Sequence, residues 1–346
     1  MTLSPNARRY LVPVLLGALS ALLYGTVMAA PIFLVPVQVS GVRSGFRMMV
    51  TSALAAMLTI VIWQFALLAR SGALGLATAA LTAASPAALL LALVLLAYPR
   101  FVHLPFVYRV LVAGFTAALL SYPTFAFAAA DPSIRGLFDE AFGKAMPGLV
   151  SSGIDAGALW DMVKVVVASS FGAILLVFIL FSSWIGTRIG LKARAAYPER
   201  GDHDDLVAQD ETSSGTIPEV SMPVSHIVLP PSLDAYSVPG PLVWALLAAW
   251  AAILFNRFVP APAFAAIAWN VAIALSICYG IQGFAVALAL AGRVGLASAA
   301  RLLAPLTLIL LMVSGTAGLV AIGVFTALGT LETWIPFRAA HEGDTP

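Results

Sequence analysis

The sequence predicts an all-α fold, a polytopic bundle of transmembrane helices that crosses the bilayer about eight or nine times. Three observations carry this reading. Of 346 residues, 61% are hydrophobic and 10% are charged, and the mean hydropathy is +0.99. A water-soluble globule of this size needs more polar surface than that to coat itself. The apolar residues gather into runs long enough to cross roughly 30 Å of hydrocarbon. No Asp, Glu, Lys or His lies near the middle of any of these runs. The lipid bilayer is therefore the partner that composition demands, and a net charge of +2 gives no reason to expect nucleic acid. The single cysteine, Cys278, excludes a disulfide within the chain and reads as a small buried hydrophobe.

The first membrane region, residues 1–188, opens with Arg8-Arg9 and an apolar stretch from Tyr10 to Gly41, which reads as a retained signal-anchor segment. That stretch forms either one over-long helix or two segments, 10–25 and 27–41, breaking near Gly25 to Pro31. Spans follow at 48–69, 73–98, 110–130 and 163–187; after a long loop come 241–256, 263–291 and 302–329, in a second membrane region, 241–332, with a tail at 333–346. Charge favours the hairpin, because short cytoplasmic loops are enriched in Lys and Arg. With one span at 10–41, eight of the 18 basic residues fall inside, which is no bias. With two, twelve of 18 do so, from Arg8, Arg9, Arg43 and Arg47 to Arg293 and Arg301. This predicts nine spans, with a cytoplasmic amino terminus. Pro31 and Pro36 leave carbonyls unpaired, so the short second segment is expected to pack on protein rather than lipid.

Two connections are long enough to hold structure. Asp131-Pro132 reads as an N-cap with proline in the first turn. Ile134, Leu137, Phe138 and Phe142 then share one face of an amphipathic helix, 132–150, while Asp139, Glu140 and Lys144 lie largely on others. It is expected to lie on the outer membrane surface, as a connector or as a lid. Residues 189–240 turn from basic to acidic and then to Ser, Thr and Pro, the composition of a flexible cytoplasmic loop. His203 among Asp202, Asp204 and Asp205 reads as a solvated charge run, and no metal or cofactor is expected.

A membrane enzyme holds ionisable or nucleophilic groups inside its spans. Their scarcity here, with no metal-ligand pair, glycine-rich phosphate loop or nucleophile-base-acid set, predicts that the protein is not an enzyme. Uncharged polar groups remain: Gln38, Gln64 beside Trp63, and the cluster Trp269, Asn270, Tyr279 and Gln282. These can hold a small uncharged or zwitterionic solute in an internal cavity, or glue helices together through interhelical hydrogen bonds. Gly280 and Gly283 permit close approach of a helix or ligand, and Gly315, Gly318 and Gly323 read as tight packing in the last span.

The segment Tyr279-Gly280-Ile281-Gln282-Gly283, the basic turn from Arg293 to Arg301, and the closing Leu328-Gly329-Thr330-Leu331-Glu332-Thr333-Trp334-Ile335-Pro336-Phe337-Arg338 resemble the YybS-like family of bacterial membrane proteins. That family's closing pattern resembles Leu-Gly-x-x-Asp-x-Trp-x-x-Phe-Arg, with Glu332 standing here for the aspartate. The likeness extends to Gly41-Val42-Arg43-Ser44-Gly45. It implies residence in the bacterial inner membrane, and a more distant likeness to the substrate-binding S components of energy-coupling-factor transporters. Such kinship implies a membrane-embedded solute-binding or transport subunit, with any energising partner on a separate chain. On this reading Asn270, Tyr279 and Gln282 face a cavity, and Glu332 pairs with Arg338 at the outer end of the last span. The alternative is a non-catalytic interaction or scaffold protein that docks a soluble partner through its loop.

Overall fold

The computed structural model describes residues 5–71, 76–132, 136, 139–140, 144, 156–196, 229–233, 235–296 and 316–338. Every regular element among them is helical. The chain divides into two compact units, one of Met1–Leu104, Tyr108–Ala130 and Leu175–Pro230, the other of Pro105–Val107, Asp131–Ile174 and Pro231–Pro346.

The first unit contains α1 (Pro5–Gly25), α2 (Val35–Ser44), α3 (Phe46–Ser71), α4 (Leu76–Leu96), most of α5 (Phe106–Ala130) and the latter part of α6 (Ala156–Ala196). The stretch from Tyr10 to Gly41 is not one helix. Thr26 takes an extended backbone, φ −99° and ψ 113°, and a 3-10 turn follows at Val27–Ile32. Ser20 Oγ donates to Phe33 O at 2.6 Å, and the Tyr24 and Phe33 rings lie 5.3 Å apart. In an unbroken helix, residues thirteen apart would be separated by about 20 Å, so the chain doubles back. Pro36 sits in the first turn of α2, where its missing N–H costs nothing.

At ten residues, α2 is about 15 Å long and too short to cross hydrocarbon alone. It is instead enclosed, with Pro36 through Val42 all buried. Two glycines of α6 make room for it. A methyl at Gly186 would sit 2.5 Å from Gln38 Cβ, and one at Gly190 would sit 2.7 Å from Val42 Cβ. The matching four-residue spacings let the two backbones approach, and Gln38 Nε2 donates to Thr187 Oγ1 at 3.2 Å across the seam. The turn into α3 needs Gly45, whose φ of 89° disfavours any side chain.

This unit buries a few polar groups within an apolar core and carries large apolar side chains on its outside as well. Ser20, Gln38, Ser52, Ser182 and Thr187 are buried, while Leu54, Leu58 and Ile62 form an exposed stripe at four-residue spacing on α3. Water disfavours such an exposed apolar stripe, whereas hydrocarbon solvates it.

The second unit holds the first part of α6, α7 (Leu242–Phe255), α8 (Pro262–Arg293) and α9 (Thr316–Leu331). α8 and α9 meet backbone to backbone. A methyl at Gly283 would overlap the Phe325 carbonyl, and one at Gly329 would overlap the Tyr279 carbonyl. Thr326 Oγ1 donates to Ser276 O at 3.1 Å, and the Phe284 and Phe325 rings meet edge to face at 5.5 Å. Gly329 is thus a close-packing glycine of α9. Gly323, expected in that role, has open space where its side chain would be, and Gly315 lies outside the described residues.

Among the described residues, four helices are long and apolar enough to cross a membrane: Phe46–Leu67, Phe106–Phe127, Gly157–Ala196 and Ala263–Arg293. Tyr10–Gly25, Ala83–Leu96, Leu242–Phe255 and Gly318–Leu331 are shorter apolar helices. α6 extends past the expected span 163–187 into the segment read as loop, because Arg, Leu, Lys and Ala at 191–196 are good helix formers and no proline intervenes before Pro198. Of the expected helix 132–150, positions 132, 136, 139, 140 and 144 are described and helical, with Lys144 Nζ 2.6 Å from Glu140 Oε1. Its apolar face lies outside the described residues, as do residues 197–228 with the His203 cluster, 302–315 of the last expected span, and 339–346.

Candidate functional site

Residues 231–241 carry Pro231, Pro239 and Pro241, which withhold N–H donors and keep the chain out of a helix until Leu242. This strap is tied down within the second unit at three places. The Tyr236 hydroxyl hydrogen-bonds Cys278 on α8, and burial pushes its phenol well above the usual tyrosine range. Val238 N donates to Gln282 Oε1 at 2.6 Å, and Arg338 Nη1 donates to Tyr236 O at 2.9 Å.

Gln282 works in both directions. Its Nε2 donates to Gly329 O at 3.1 Å, a carbonyl in the last turn of α9, where helix ends leave acceptors without intrahelical partners. One side chain therefore joins strap, α8 and α9, and it is 3% exposed.

Beyond α9 the chain turns back, and Arg338 Nε meets Glu332 Oε1 at 2.6 Å. The Glu332 side chain is 7% exposed. Its second oxygen, Oε2, and the neighbouring Thr333 Oγ1 are buried with no hydrogen-bond partner among the described residues. Together with Ser237, Val238, Gln282 and Arg338, these two residues line a recess of about 530 Å³. Its wall thus combines an ion pair, a primary amide and a hydroxyl in a unit whose neighbouring helices are otherwise apolar.

The structure gathers some of the sequence-predicted residues here and disperses the rest. Gln282, Glu332 and Arg338 share the recess. Asn270 does not: it lies twelve residues from Gln282, about 18 Å along α8. Its Nδ2 donates to Ala168 O and Ala266 O at 2.7 and 2.8 Å, and its Oδ1 accepts from Gly172 N at 2.7 Å. The bonds to Ala168 and Gly172 join α8 to α6, and with the one to Ala266 within α8 they occupy both amide hydrogens. Tyr279 is fully buried and does not line the recess, and Trp269 meets Trp250 edge to face at 5.8 Å. Of the three residues expected to face one cavity, Gln282 lines this recess and Asn270 and Tyr279 do not.

Gln64 belongs to the first unit, where it lines a mainly apolar recess of about 340 Å³ with Tyr24, Trp63 and Leu67. Sequence reasoning missed Ser237, Val238 and Thr333. The usable signal was the proline-rich approach to α7, which marks a chain that cannot hydrogen-bond to itself and so draws bonds from its neighbours.

Residues 224–325 match the family described as Predicted membrane protein (DUF2232). The match covers the strap, α7, α8 and the first part of α9, and stops short of Glu332. No curated protein and no solved structure matches the chain. The family match and the apolar helices agree on a multi-pass membrane protein in contact with the lipid bilayer.

Proposed function

We propose that this protein is a non-enzymatic, solute-binding or transport subunit of the bacterial inner membrane, similar in role to an S component, and that its solute is captured in the recess beneath the strap. The observation that carries this reading is the Glu332 carboxylate, nearly buried, with one oxygen on Arg338 and the other without a partner among the described residues. A purely structural ion pair in an apolar surrounding satisfies its remaining lone pairs, because an unmet buried acceptor costs about 1–3 kcal/mol. Any ATP-driven transport would draw on a separate chain, since the sequence carries no nucleotide-binding motif.

The test is purification in lipid nanodiscs from native membranes, followed by mass spectrometry of extracted small molecules. A solute enriched with the wild-type protein and lost with Gln282→Leu supports the reading, provided that the variant keeps its melting temperature within a few degrees. Absence of any enriched solute, together with loss of the cellular phenotype on deleting residues 201–228, would replace it with an interaction or scaffold role exercised through the loop.

A further inference from the structure

The recess also restricts the chemistry of what it takes, an inference that rests on the solute-binding reading above. Three hydrogen-bonding positions in its wall remain open. Glu332 Oε2 is an acceptor, and Thr333 Oγ1 can both accept and donate. Gln282 Nε2 uses one of its two hydrogens on Gly329 O and keeps the other. A complementary solute thus brings a donor to Glu332 and an acceptor to Thr333 or Gln282.

Charge narrows the class further. A cationic donor would suit a lone carboxylate, but Glu332 already holds Arg338 at 2.6 Å, so the pair is neutral and a second cation would meet the guanidinium as a like charge. An anion would have to displace Glu332 from Arg338, stranding a carboxylate that is almost wholly out of water. We propose that the recess takes a small uncharged solute presenting an N–H beside a carbonyl, as in amides, lactams and imides. At about 530 Å³ it accommodates a ring of modest size.

The experiment uses the full chain in nanodiscs and follows binding by saturation-transfer NMR with four probes: δ-valerolactam, its N-methyl derivative, butylammonium and butyrate. The lactam binds, and the N-methyl derivative binds at least about tenfold more weakly, because methylation removes the donor and leaves the acceptor. Thr333→Val weakens lactam binding by a similar factor. It replaces a hydroxyl that has no partner among the described residues, so its folding is not at issue, whereas Glu332→Gln also disturbs the pair with Arg338. Equal binding of the two lactams, or preference for butylammonium or butyrate, overturns the assignment of chemical class while leaving the recess a solute site. No saturation transfer to any of the four probes, with no solute found by extraction, removes the recess as a binding site and the proposed function with it.

Discussion

Asn270 shows how a polar residue in an apolar span acquires its purpose from geometry. Its amide brackets Ala168 O and Gly172 N, a carbonyl and an N–H four residues apart on α6 that would ordinarily serve each other. Asn270→Leu is expected to destabilise the protein by about 1 kcal/mol, the scale of interhelical hydrogen bonds in membranes, and to leave solute binding unchanged. Unfolding in mixed micelles measures the first and the lactam titration the second; a loss of binding without loss of stability would return Asn270 to the site. Thr333 carries the opposite expectation. Its hydroxyl is buried without a partner among the described residues, so Thr333→Val should be neutral or stabilising by up to about 1 kcal/mol. A clear destabilisation would reveal a partner for that oxygen. The residues capable of polar chemistry were legible in the sequence, since few such groups interrupt the apolar runs. Their assignment to solute or to helix was not, because an amide that bonds a backbone and one that bonds a ligand are the same residue type.

At the level of helices, the long apolar helices were legible because hydrocarbon imposes a minimum apolar length, and the break between α1 and α2 was legible because Gly25 and Pro31 interrupt the run. Which glycine seats a neighbouring helix was not, since that depends on how two helices register against each other. Gly283 and Gly329 stand opposite backbone carbonyls, whereas Gly323 faces open space. Alanine at Gly283 or Gly329 must push α8 and α9 apart, with an expected loss of about 2–3 kcal/mol. Gly323→Ala gains helix propensity without a clash and should stabilise by up to about 1 kcal/mol. Thermal unfolding of the three variants side by side checks this, and similar losses at all three would mean that the α8–α9 contact is wrongly placed. The recess hangs from the same contact, because Gln282 reaches Gly329 O only while the helices remain this close.

For the molecule as a whole, the nine-span orientation makes the sharpest claim. The charge pattern favours it: with two segments before Gly41, twelve of the 18 basic residues fall on the cytoplasmic side. Residues 133 and 213 are the informative pair, since between them lies a single predicted span, the one inside α6. At 41 residues α6 is about 60 Å long, roughly twice the hydrocarbon thickness, so length alone lets it cross. In a Cys278→Ala background, Ser133→Cys should react with a membrane-impermeant maleimide in intact cells whose outer membrane has been permeabilised. Ser213→Cys should react only after the inner membrane is broken. The native thiol is fully buried, so the background chiefly removes a source of slow labelling. Exchange of the two results would invert the protein and place Arg8 and Arg9 outside, against the charge bias. Labelling of both from one side would mean that α6 does not cross, and the number of spans and the sidedness of the loop would both have to be redrawn.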